Sequence, residues 1–197
     1  MKKLLVLILL LMISGNIFSQ NDLLKKYPDL KGFKIKDFWQ ITAQGGFMYQ
    51  FGILNDNYYT SPNAGFDISY RLNREVALYA EFKYNFLSAK DSGAPAAGYF
   101  EATVGPRYYF RPPCYRSSLF IEAGLGTYIF KQSAGYTPKN TYLSATQFRF
   151  GANIGIGGEI VLTNSVFITI KSKVNSVFTS YGSSVYVTGG GGITFRL

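Results

Sequence analysis

From Phe38 onward the chain alternates between apolar and polar positions. Trp39, Ile41, Ala43, Gly45, Phe47, Tyr49 and Phe51 interleave with Gln40, Thr42, Gln44, Gly46, Met48 and Gln50. Successive side chains of a strand point to opposite faces, so this pattern predicts a strand with one apolar face. The signature returns seven times, over Ala64–Leu72, Val76–Phe86, Phe100–Phe110, Leu119–Ile129, Phe148–Ile160, Val166–Val174 and Val185–Phe195. The connections alternate as well. Asn73–Glu75 and Thr163–Ser165 read as tight turns, and the Pro112-Pro113 connection is somewhat longer. Gly52–Pro62, Ser88–Ala97, Lys131–Ala145 and Ser176–Ser183 are long polar loops. Short turns at one end and long loops at the other suit a barrel that crosses an outer membrane. An even strand count brings both ends of the barrel to the short-turn side.

The predicted fold is therefore all-β: a transmembrane eight-stranded antiparallel up-and-down β-barrel over residues 38–197. Residues 1–19 read as a cleaved signal peptide, with Lys2 and Lys3 ahead of an apolar run from Leu4 to Ile13 and a polar exit at Ser14-Gly15-Asn16. Residues 20–37 hold Pro28 and Gly32 and lack the two-residue period. They read as a periplasmic lead-in, with a helical turn around Leu23–Tyr27.

Alternation alone does not say which face meets solvent. A soluble lipid carrier would turn the apolar face inward, around a ligand. Three features favour the opposite arrangement. The apolar set is too large and too aromatic for an eight-stranded interior. The other face is too poor in charge and too rich in Gly for a water-facing surface. Aromatics on the apolar face gather at the strand ends, with Trp39, Tyr70, Tyr108, Phe110 and Phe195 at one rim and Phe51, Phe86, Phe100 and Phe148 at the other. Two such girdles match the two interfaces of a bilayer.

This assignment sends the charges into the lumen. Asp67, Glu81, Glu101, Glu122 and Glu159 would share it with Arg71, Lys83, Arg107, Arg149, Lys171, Lys173 and Arg196, with Tyr79, Tyr99, Tyr109 and Tyr186 filling the gaps. Isolated ions are costly to desolvate, so these groups are expected to pair, Glu81 with Lys83 among them. Inward glycines would make room for the larger side chains. A packed lumen is the expectation, with a narrow, weakly anion-favouring pore as the alternative, because wide aqueous channels need about sixteen strands.

Composition narrows the chemistry. The formal charge of +9 includes Lys2 and Lys3, whose loss with the signal leaves +7. The remaining basic residues are scattered, and the densest group, Lys25 to Lys36, is interleaved with acids, so nucleic acid is not an expected partner. Cys114 is the lone cysteine, which rules out an intramolecular disulfide, and it reads as a passive turn residue. The sequence contains no His. That removes the usual base near neutral pH and the commonest metal ligand, and no Ser has an evident activating partner. No catalytic residue, cofactor or metal is predicted.

The end of the chain, Thr188-x-Gly190-x-x-Ile193-x-Phe195, resembles the C-terminal signal read by the outer-membrane assembly machinery, although Arg196 and Leu197 follow the aromatic. Together with the segments FWQITAQGGFMYQFG, VALYAEFKYNF and GGGGITFRL, it resembles the outer-membrane β-barrel domain family of OmpA/OmpX-like proteins, including the PorT-like porin-family branch. The resemblance covers residues 38–197 and implies fold and an outer-membrane location more than an activity. Expected surroundings are outer-membrane lipid and lipopolysaccharide. The leading functional expectation is a non-enzymatic protein acting in envelope integrity, adhesion or partner binding. Its loop aromatics Tyr58, Tyr59, Tyr136, Tyr142 and Tyr181 would meet an extracellular or envelope protein. Passive passage of small solutes or ions is the alternative. An accessory role in protein secretion, which the PorT-like resemblance implies, and a lipid-modifying enzyme stand behind it.

Overall fold

The computed structural model describes residues 38–51, 56–73, 75–91, 94–95, 97–110, 117–136, 141–163, 165–179 and 182–197. The segments expected to be a signal peptide (1–19) and a lead-in (20–37), Cys114, the Pro112-Pro113 connection and Tyr181 lie outside the described residues. Eight long strands close into one antiparallel barrel: β1 (Phe38–Gln50), β2 (Ser61–Arg71), β3 (Val76–Leu87), β4 (Ala97–Tyr109), β5 (Ser117–Gln132), β8 (Ala145–Val161), β9 (Val166–Thr179) and β10 (Gly182–Arg196). Each strand pairs with the next along the chain, and β1 pairs with β10 to close the ring. Closure satisfies the backbone groups that an open edge would leave bare.

The tight turns are built by side chains. The Asn73 Oδ1 accepts hydrogen bonds from the backbone N–H groups of Glu75 and Val76 at 2.8 and 2.7 Å. Thr163 Oγ1 does the same for Ser165 and Val166 at 3.3 and 3.1 Å. Both are short polar side chains mimicking a backbone turn, which reverses the chain within three residues.

Pairing at the opposite end continues further than the hydrophobic pattern suggests. Strand β9 runs to Thr179 and β10 begins at Gly182, so most of the loop expected over Ser176–Ser183 is strand. Strand β2 likewise begins at Ser61 rather than Ala64. Ser, Asn and Thr replace apolar residues there, which erases the alternation while the backbone ladder goes on. Within the expected Lys131–Ala145 loop, Gly135–Tyr136 (β6) and Thr141–Tyr142 (β7) form a small ribbon above the β5–β8 hairpin.

The barrel is inside out by the standard of a soluble protein. Trp39, Phe47, Leu78, Leu125, Phe148, Phe150 and Ile154 are among the large apolar side chains exposed on its exterior, and charged groups fill its core. Among the described strand residues, the only charged side chain at an outward position is Lys131, at the far end of β5. Such an exterior suits hydrocarbon and not water.

One strand breaks the rule that proline avoids central strands. The β4–β5 ladder passes from Val104↔Leu125 to Arg107↔Glu122, skipping Gly105 and Pro106. Pro106 has no N–H to give to the carbonyl of Ala123 opposite. The outer wall is hollowed around this position, with two apolar depressions of about 440 Å³ each that both reach Pro106 and Ala123.

Candidate functional site: a filled lumen and its outer rim

Inward positions of the strands fill the lumen in three tiers. The middle tier is ionic. Arg107 donates from Nε to Glu122 at 2.8 Å and from Nη2 to Asp67 at 2.6 Å. Lys171 bridges Asp67, at 3.0 Å, and Glu81, at 2.6 Å. Glu81 also takes Lys173 at 3.0 Å, and Lys83 lies 2.6 Å from its other oxygen. One chain of charges thus crosses the interior, from Glu122 on β5 through Arg107, Asp67 and Lys171 to Glu81 on β3. Five acids and five bases are buried among the described residues: Asp67, Glu81, Glu101, Glu122 and Glu159 against Arg71, Lys83, Arg107, Lys171 and Lys173. All of them but Glu101 lie within 4.0 Å of an opposite charge, which offsets the desolvation that would otherwise expel them.

The tier toward the short turns is aromatic and cationic. The Arg71 guanidinium lies 3.4 Å from the centre of the Tyr109 ring, and Arg196 sits over Phe38 and Phe167 at 4.1 and 5.0 Å. Tyr109 donates its hydroxyl to Glu159 at 2.7 Å, and Phe120 packs against Tyr109 with ring centroids 5.3 Å apart. Gly157 makes this possible. A Cβ there would fall 2.3 Å from Phe120 Cζ, so only glycine leaves the ring its place.

The tier toward the loops is apolar. Met48, Leu87, Ala97, Val177, Tyr99, Tyr128 and Tyr186 form one buried cluster. Tyr99 meets Tyr186 edge-on at 5.5 Å and Tyr128 at 6.2 Å. Just below, Glu101 accepts from the Asn85 amide at 2.5 Å. Arg149 is half-buried toward the outer end of β8, where it donates to Gln147 at 3.2 Å.

Several lumen residues carry no charge and escape a search for chemistry. Phe38, Met48, Phe120, Tyr128, Phe167 and Val177 are buried inside the ring. Their signal is positional: each is a large side chain at an inward position near a strand end, where the period expects something polar or small. Among the described residues no group of His, Cys, Asp and Glu is arranged to hold a metal.

No family model matches the chain, and no curated protein matches it in sequence. Solved structures do match. Neisserial surface protein A aligns over 81% of this chain and 97% of its own, at 12% identity and a TM-score of 0.63. OprG from Pseudomonas aeruginosa aligns over 82% and 97%, at 11% identity and a TM-score of 0.60. The N-terminal β-barrel domain of Pseudomonas aeruginosa OprF aligns over 82% and 98%, at 18% identity and a TM-score of 0.56. This is the fold of the small outer-membrane β-barrels. At these identities the likeness is one of architecture, and the lumen described above is this chain's own.

The loop-side rim of the barrel departs from expectation at Tyr58. The sequence offers it as an exposed loop contact, yet only 7% of its surface is exposed. A backbone bridge to Ala89 draws the 56–59 segment across the barrel mouth, and the Tyr58 ring packs against Phe130 at 6.2 Å. It thereby joins the apolar outer tier and covers it. Tyr59 points the other way, 55% exposed, with Lys90 5.8 Å from its ring centre. Tyr136 on the ribbon is 75% exposed and Leu143 beside it 77%. The Tyr142 side chain lies outside the description.

Proposed function

We propose that this chain is a small, non-enzymatic integral protein of the outer membrane, with a closed lumen, acting through its barrel and extracellular loops in envelope integrity, adhesion or partner binding. The observation that carries this reading is the contrast at the outer rim. Tyr58 folds over the lumen, while Tyr59, Tyr136 and Leu143 stand out from it. A barrel shut at its mouth by an aromatic cluster presents its surroundings with loops and not with a channel. The absence of His from the sequence further supports a role without catalysis. Ail, the attachment invasion locus protein of Yersinia pestis, has a related architecture at a TM-score of 0.51, so this kind of barrel is compatible with surface attachment.

In this reading the apolar exterior meets outer-membrane lipid and the rim meets lipopolysaccharide. Ile193 and Phe195 face outward on the last strand, as a C-terminal signal offered to the assembly machinery requires. Thr188 faces inward, and Gly190 packs so closely on β1 that a Cβ would fall 2.3 Å from the Gly45 carbonyl oxygen. The test is to replace residues 133–144 with a short turn and Tyr59 with Ala, then compare attachment of cells displaying each form to host cells and matrix proteins. The barrel should still show its heat-dependent gel shift, and attachment should fall. Attachment equal to that of the parent would overturn the loop reading.

A further inference from the structure

The seam where the barrel closes is made of glycine. Gly45 and Gly46 on β1 lie opposite Gly191 and Gly190 on β10, with Gly189 and Gly192 flanking them. Without side chains from this stretch, a small internal cavity of about 10 Å³ remains against the wall. It is lined by Gln44, Asn63, Lys83, Lys171, Lys173 and Thr188, along with glycine backbone. That is room for one water-sized sphere.

The lining has a pronounced chemical bias. Three lysines line the cavity, and none of the five buried acids does. The buried amide nitrogens Gln44 Nε2 and Asn63 Nδ2 have no hydrogen-bond partner. Asn63 is itself more than nine-tenths buried. Each ammonium carries three hydrogens. Lys171 spends two on Asp67 and Glu81, and Lys173 two on Glu81 and Thr103, with Glu122 3.9 Å from each, while Lys83 turns toward Glu81 and Thr188. Donor-bearing side chains therefore meet at one small space from β1, β2, β3 and β9. The acceptors beside it are the neutral oxygens of Gln44, Asn63, Thr188 and glycine backbone, whereas the charged residues that line it are all cationic, which favours an anion over a water molecule.

We propose that this cavity is a binding site for a single small halide anion, chloride under ordinary conditions, held by Asn63, Gln44 and the Lys83, Lys171 and Lys173 ammonium groups. The anion ties the closing seam to the ionic core, supplying from solution an acceptor that the glycine run cannot provide.

A ligand that binds the folded state alone raises its stability with concentration. The full-length protein, refolded in detergent, is unfolded thermally in sodium chloride, sodium bromide and sodium gluconate at matched ionic strength. The midpoint should rise saturably with either halide over gluconate. Asn63→Asp places a carboxylate where the anion sits, so this variant should fold, start from a higher midpoint in gluconate and lose the halide response. Asn63→Leu should lose the response without that gain. Crystals grown in bromide should show an anomalous peak in the cavity. Midpoints that do not distinguish halide from gluconate, an undiminished halide response in Asn63→Asp, or a water without anomalous signal in the cavity would each overturn the proposal.

Discussion

Glu81 faces Lys83, Lys171 and Lys173 at 2.6, 2.6 and 3.0 Å, inside a barrel that leaves it almost no exposed surface. Three cations meet at one carboxylate, and only Lys171 has a second acid as close, Asp67 at 3.0 Å, so neutralising Glu81 leaves like charges facing each other without water. Glu81→Gln should cost about 3–5 kcal/mol of stability, the usual penalty for removing one partner of a buried ion pair. Glu101 gives the contrast. It accepts from the neutral amide of Asn85, and glutamine can preserve that bond, so Glu101→Gln should cost less. Urea unfolding of the two variants in lipid vesicles checks the order, and equal losses would show that the Glu81 cluster is not the electrostatic centre. The alternating pattern places both carboxylates inside, but it does not tell which has three partners and which has an amide. That depends on side chains from strands far apart in sequence meeting across the lumen.

At the scale of the element, β4 is the least regular strand. Its ladder to β5 lapses at Gly105 and Pro106, within a wall that has no water to replace a lost hydrogen bond. Pro106→Val restores the missing donor opposite Ala123 and keeps the outward side chain apolar. It should raise stability by about 0.5–1.5 kcal/mol, the net worth of one hydrogen bond. A shift of the urea midpoint measures this, and a midpoint that falls would show the proline to be needed for the shape of the wall. Strand ends teach a related lesson. Leu72 and Asn73 close the turn to Val76 through backbone bonds, where the Asn side chain already announces the turn in the sequence. At the other end Val177, Phe178 and Thr179 stay paired with Ser184, Ser183 and Gly182. That pairing rests on backbone bonds, which leave no mark on the residue types.

The described barrel is filled by its own inward side chains. Aromatic and cationic groups close the end near the short turns, the ionic chain fills the middle, and the Tyr58 cluster covers the mouth. Purified protein in planar bilayers should therefore show no stable conductance at moderate voltage. Steady channels of uniform size would mean that a solute path opens through these tiers, and would favour the pore reading. Eight strands enclose little more than the volume of their own inward side chains, so filling is the default for this barrel size.

The residue order by itself determined the number of barrel strands, the face each turns to lipid, and the placing of charge within. Those properties follow from a two-residue period and from the cost of leaving an ion or a backbone amide in hydrocarbon. It also placed tight turns at Asn73–Glu75 and Thr163–Ser165, where a short polar side chain acts on its own neighbours. The tertiary structure alone decided which charges pair beyond Glu81 with Lys83, that Tyr58 lies over the mouth while Tyr59 stands free of it, and that a donor-lined cavity remains beside the glycine seam. These are contacts between residues as distant as Asp67 and Lys171. They depend on the register and curvature of the closed ring, which no local pattern encodes.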